Sequence, residues 1–201
     1  MTYVKASVRR PAGNPGNGIQ PKDQLVIYDV DDILYFPPRN EAGVVIEEDI
    51  VMKAGRYAIG IYLTPGTAEI SSNSDGETDA EGYTPSVKFN HPGNEQEIRE
   101  FKTNWLSKKC IVVLRYCSGK PADLIGTPCN PSKLSVSYTG SNESNTNELT
   151  FTQISKGDDI AIYRGTDTLE EPVAVVEAGA TDIDYQTDGQ YQLSAGAAKI
   201  A

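Results

Sequence analysis

The sequence predicts a mainly β fold with one helix near its middle, on three observations. Short apolar runs rich in Val, Ile and Tyr recur along the chain, punctuated by Gly, Pro, Asn and Asp. A 3.6-residue apolar repeat of useful strength appears around residues 94–107. Tyrosine outnumbers phenylalanine 11 to 4, the balance expected of half-buried strands, where a ring is covered and its hydroxyl reaches water.

Taken in order, residues 1–22 read as an arm. Asn14, Pro15, Gly16, Asn17 and Gly18 are dense in chain breakers, Pro11 and Pro21 flank them, and so little apolar surface needs a neighbour to order it. Strand signals follow at residues 25–28 and 33–36, separated by an acidic turn at 29–32 and ended by Pro37-Pro38. Residues 44–46 and 57–63 continue the pattern. In the latter Tyr57, Ile59, Ile61 and Leu63 share one face.

The apolar pattern stops from 64 to 85, a span expected to be a long polar loop. The helix comes next, with Asn94 as the expected N-cap and Glu95 and Glu97 where the helix dipole favours anions. Ile98, Phe101 and Trp105 form its apolar stripe, and Lys102, Lys108 and Lys109 lie toward its C-terminal end. Residues 110–116 are apolar on both faces, which predicts a central strand. Residues 118–121 turn the chain. Alternation at 134–138 and 149–152 predicts a hairpin joined by a long polar loop at 141–147. Asp158-Asp159 precedes a short strand at 160–163. Residues 172–201 carry weak strand signals at 173–176 and 191–193 and read as a second arm. The expected organisation is one β-rich domain, 1–201, with an arm at each end.

The bulk numbers bound the function. At 201 residues with a net charge of −10, the chain can bury a core without disulfides or metal. Its field repels phosphates, which disfavours sequence-specific nucleic-acid binding. The three cysteines, Cys110, Cys117 and Cys129, leave at least one unpaired and form no C-x-x-C pair or Cys/His cluster, so neither a zinc site nor a disulfide scaffold is expected. The first ten residues lack the apolar stretch of a secretory signal, and no run approaches the length of a membrane span. Folding in a cytoplasm is expected.

Candidate chemistry is sparse. His91, the sole histidine, is read as part of the turn His91-Pro92-Gly93. Asp75, Glu77, Asp79 and Glu81 recur at every second position, an oxygen-rich run that a calcium site could use. Gly76 falls second rather than sixth, and no closing glutamate follows, so the EF-hand order is missed. A surface or subunit-contact loop is the expected role. Asp31 and Asp32 could pair for acid–base work, although a turn between strands explains them. Ser118-Gly119-Lys120-Pro121 lacks the glycine spacing of a phosphate loop. Cys110 and Cys117 bracket a core-like strand and carry no mark of a nucleophile. No catalytic residue, metal or cofactor is expected.

One stretch adds a resemblance. Phe89-Asn90-His91-Pro92-Gly93, the helix, Cys110-Ile111-Val112-Val113-Leu114 and Leu124-Ile125-Gly126-Thr127-Pro128-Cys129-Asn130-Pro131 together resemble virion structural proteins of tailed phages and prophages of gut bacteria. The layout is similar to that of tail tube proteins. That resemblance implies an antiparallel β-sandwich or barrel-like fold with one flanking helix, a long loop at 64–85 and extended terminal arms. It also implies self-assembly into stacked rings, hexameric by the family pattern, that make a channel for DNA. The partners would be further copies, other tail proteins and DNA as passing cargo, with no membrane. The chain would reside in the virion tail, and in the host cytoplasm during assembly. Three alternatives stay open. They are another virion part (a head–tail completion or decoration protein), a calcium-assisted carbohydrate- or protein-binding module, and an enzyme built on Asp31 or Asp32.

Overall fold

A computed structural model describes residues 6–13, 16–117 and 119–169, together with the backbone of 182–185 and 191–194. The chain divides into two compact units, Met1–Glu170 and Glu171–Ala201. In the first unit, residues 6–13 and 16–20 are exposed and carry no strand or helix. The strands then run β1 (Pro21–Asp29), β2 (Ile33–Tyr35), β3 (Val45–Ile46), β4 (Val51–Met52), β5 (Ile59–Tyr62), β6 (Glu69–Asp75) and β7 (Gly82–Pro92). Helix α1 (Gln96–Trp105) follows, and then β8 (Cys110–Tyr116), β9 (Ala122–Ile125), β10 (Ser132–Gly140), β11 (Asn145–Gln153) and β12 (Ala161–Tyr163). In the second unit β13 (Asp182–Tyr185) and β14 (Tyr191–Ser194) pair antiparallel, Ile183 opposite Leu193. The signal read at 173–176 lies outside the described residues.

The fold is mainly β and sandwich-like. One layer has the order β5-β1-β8-β9-β12-β3, the other β10-β11-β7-β6, and a bridge between Cys110 and Ser132 joins them. Most pairings are antiparallel, with β12 beside β3 as a parallel exception. Between the layers lies one core, in which Leu25, Ile27, Val112 and Leu114 of the first layer meet Val87, Phe89, Leu149 and Phe151 of the second. Phe89 and Phe151 stack with ring centroids 6.4 Å apart. The alternate residues of the same strands, Val26, Tyr28, Ile111 and Val113, build a second core with Ile46, Ile50, Ala161 and Tyr163. The first layer is thus covered on both sides. This is why residues 110–114 read as an unbroken apolar run, as expected of a central strand.

Gly126 makes the corner where the chain leaves the first layer for the second. Its φ of 93° lies in the left-handed region, and a Cβ would sit 3.2 Å from the Cys110 carbonyl oxygen. Only glycine tolerates both. Helix α1 packs Ile98 into the first core, with Phe101 and Trp105 stacked beside it at 5.7 Å. Its cap departs from expectation. Glu95, not Asn94, is the N-cap residue and makes no side-chain cap bond, while Asn94 Oδ1 accepts from Lys102 Nζ at 3.0 Å. Buried Asn147 ties the same region to β11: its Nδ2 donates to the Gly93 carbonyl and its Oδ1 accepts from Lys102 Nζ at 2.6 Å.

The expected loop at 64–85 is overturned. Residues 69–75 and 82–92 form an antiparallel hairpin around a turn at 76–81, and only 64–68 also stay outside strands. The first of these strands carries little sequence signal because Ile70 is its lone large apolar residue. Its partner specifies it, since Val87 and Phe89 of β7 face the core, while Ser71 and Ser86 hydroxyls meet at 2.9 Å and Lys88 pairs with Glu69 at 3.4 Å. The turn is tight: Gly76 has φ 141°, and a Cβ there would lie 2.2 Å from the Ala80 carbonyl oxygen. The hairpin expected at 134–152 is present, with a turn of residues 141–144 rather than a long loop.

Candidate functional site

Two sheet edges expose backbone that finds no partner among the described residues. On β6 the register decides which groups are free. Tyr83, opposite Ser74, exchanges both its backbone hydrogen bonds with Gly157, so this pair is not hydrogen-bonded across the hairpin. Alternation then directs the N–H and C=O of Ile70, Ser72 and Ser74 outward. At the end of this edge stand the four acids singled out in the sequence. Asp75, Glu77, Asp79 and Glu81 are all exposed. Asp75 closes β6, accepts from Gly76 N–H at 2.8 Å and pairs with Lys156 at 3.1 Å; the Lys156 bond, then the Gly76 bond, hold its carboxyl below the usual range. Asp79 sits at φ 70°, and Ala80 N–H donates to the Glu77 carbonyl. The acids are strung along a turn and do not converge. Among the described residues no three His, Cys, Asp or Glu side chains gather where they could hold a metal ion.

The second edge is that of β5. Leu63 N–H donates to the Asp23 carbonyl, which makes Leu25 with Ile61 and Ile27 with Ile59 the hydrogen-bonded pairs and turns Ala58, Gly60 and Tyr62 outward. Ala58 N–H is taken by Thr168 O at 3.0 Å, and the Tyr62 carbonyl by His91 Nδ1 at 2.9 Å. Between them, both Gly60 backbone groups and the Tyr62 N–H face a pocket of about 250 Å³. Ile61, Ile98 and Phe101 give it an apolar floor, and Glu95 and Glu97 an acidic rim. His91 therefore orients an edge; its neighbours include no nucleophile. Sequence reading missed this groove, although Gly60 in mid-strand is a mark of close backbone approach.

The other candidates are structural. Asp29 is buried, caps the short 3-10 turn Val30–Asp32 by accepting from Asp31 N–H, and pairs with Lys108 Nζ, whose pKa that contact raises. Asp32 pairs with Arg56 at 3.4 Å, and the Asp31 carbonyl takes Lys53 Nζ. Asp31 and Asp32 are thus used in holding β4 and its turn. Cys110 is buried, and burial pushes its thiol up to about 12. Cys117 and Cys129 are exposed, Cys117 lying one residue past the end of β8.

A further polar cluster, beneath residues 164–169, has no counterpart in the sequence expectations. Arg115 Nε pairs with Asp167, Arg115 Nη2 donates to the Gly165 carbonyl at 2.7 Å, and Tyr28 Oη donates to Asp167 at 2.6 Å. Burial, then the Asp167 charge, raises the Tyr28 hydroxyl far above its ordinary value. Tyr163 donates to the Thr166 carbonyl and accepts from Ile50 N–H. These bonds strap residues 164–169 across the second core. Arg115 is 50 positions from Gly165 and Tyr28 is 139 from Asp167, separations that no local pattern announces.

The chain matches no protein-family model, no curated protein and no solved structure. No helix among the described residues is long and apolar enough to cross a membrane.

Proposed function

We propose that this chain is the self-assembling structural subunit of a phage tail tube, forming stacked rings, hexameric by the family resemblance, around a channel for DNA. The observation that carries this reading is the outer edge of β6. A seven-residue strand whose outward N–H and C=O groups are unpaired among the described residues is a liability in a monomer, and pairing across copies removes it. The exposed residues 6–13 and 16–20, which belong to no strand or helix, support the same reading, since so little apolar surface is best used against a neighbour. The net charge of −10 suits a wall that DNA must pass without sticking. The partners are further copies, other tail proteins at the tube ends, and DNA as cargo; the site of action is the virion tail.

Negative-stain electron microscopy of the purified protein at rising concentration tests this. Stacked rings with a central hole are expected. Discrete rings that never stack would replace the tube with a head–tail completion role. Monomers at every concentration and salt would end the assembly reading.

A further inference from the structure

We infer that the groove between the outer edge of β5 and helix α1 receives the N-terminal arm of a second copy, residues 6–10, as an added strand. This deepens the self-assembly reading and rests on it. The groove offers what strand addition needs: an N–H and C=O at Gly60 and an N–H at Tyr62, all directed outward, beside a helix that walls the slot. Its floor is Ile61, Ile98 and Phe101, and its rim is Glu95 and Glu97.

The arm is complementary to that chemistry. Val8 is 96 % exposed, the most exposed large apolar side chain described, and it fits the apolar floor. Arg9 and Arg10 follow it, opposite in charge to the two glutamates and equal to them in number. Pro11 has no N–H to donate and ends the added strand there. A chain at −10 repels its copies overall, so a local basic-to-acidic contact supplies both attraction and register.

The arm's root favours a second copy over its own body. Cys117 N–H donates to the Gln20 carbonyl, and Pro21 lies opposite Tyr116. The arm therefore leaves β1 tied to β8, on the side away from β5.

Cross-linking tests the contact without requiring tubes. In a full-length Cys117→Ser/Cys129→Ser background, a Val8→Cys chain is mixed with a Glu97→Cys chain under mild oxidation. A disulfide-linked heterodimer is expected. If a link forms only when both substitutions share one chain, independent of concentration, the groove takes its own arm and the second-copy assignment is overturned; no link in either format overturns the docking altogether. Charge reversal adds an independent reading. Arg9→Glu/Arg10→Glu and Glu95→Lys/Glu97→Lys should each raise the concentration for association about ten-fold, and combining them should restore it to within about three-fold. If all forms assemble like the parent, the arm–groove contact is overturned while self-assembly stands. Cross-linked pairs that never build rings would do the opposite, keeping the contact and removing the tube.

Discussion

Asp167 sits where one charge decides the most. Its side chain is 5 % exposed and holds Arg115 and Tyr28 together. Asp167→Asn leaves a half-buried guanidinium without its counter-charge and should cost about 3 kcal/mol in urea unfolding. Tyr28→Phe removes one hydrogen bond and should cost about 1–2 kcal/mol. Cys110 gives a pH prediction. The folded thiol titrates near 12, against an ordinary 9.0 for the unfolded chain. Its contribution to stability is therefore complete below pH 9 and is lost as pH rises toward 12. Between pH 9 and 10 the loss should be about 1 kcal/mol, and Cys110→Ala should flatten that slope. Tyr28, Tyr116 and Tyr163 also have raised values, but their ordinary value of 10.0 places their effect higher on the scale. Thiol labelling of the folded protein should modify Cys117 and Cys129 and spare Cys110 until unfolding. At this scale little is legible in the sequence. It shows that Arg115 and Asp167 exist, but only the three-dimensional path of residues 164–169 brings them together.

At the scale of elements, legibility follows hydrophobic alternation. The central strand, the helix stripe and the hairpin at 132–153 each carry enough apolar residues at the right period to be read directly. β6 does not: Glu69, Ser71, Ser72, Asn73 and Ser74 signal a loop, and their strand geometry comes from β7. β7 itself alternates as Ser86-Val87-Lys88-Phe89, a signal overshadowed by the polar stretch before it. The turn at Gly126 shows the cost of changing layers. Gly126→Ala must adopt a left-handed φ against the Cys110 carbonyl and should lose more than about 1 kcal/mol. Asn147→Ala leaves the Gly93 carbonyl without its partner and takes one of two acceptors from Lys102 Nζ at the base of α1, with an expected cost of about 2 kcal/mol. Hydrogen exchange should show the β6 edge residue by residue: in the monomer, amides of Ile70, Ser72 and Ser74 exchange fast and those of Ser71 and Asn73 slowly. Assembly through this edge should protect the fast set.

For the whole molecule, charge and edges set competing demands. In the proposed hexameric ring, six copies at −10 would carry about −60, so raising salt from about 0.05 to about 0.5 M should lower the concentration at which such rings appear. The acidity is legible from composition alone. Which acids crowd one another in an assembly is not, because sequence spacing says nothing of neighbours on other copies.

The pairing of β1 with β8 has a kinetic consequence. Residues near 26 must find residues near 113 before either core can close, and such distant contacts form slowly because the intervening loop must first be restricted. Until then, the strands of both layers present unpaired apolar surface. In the proposed assembly, newly made chains should therefore mature before they polymerise, and the lag before the first rings should track monomer refolding rather than protein concentration.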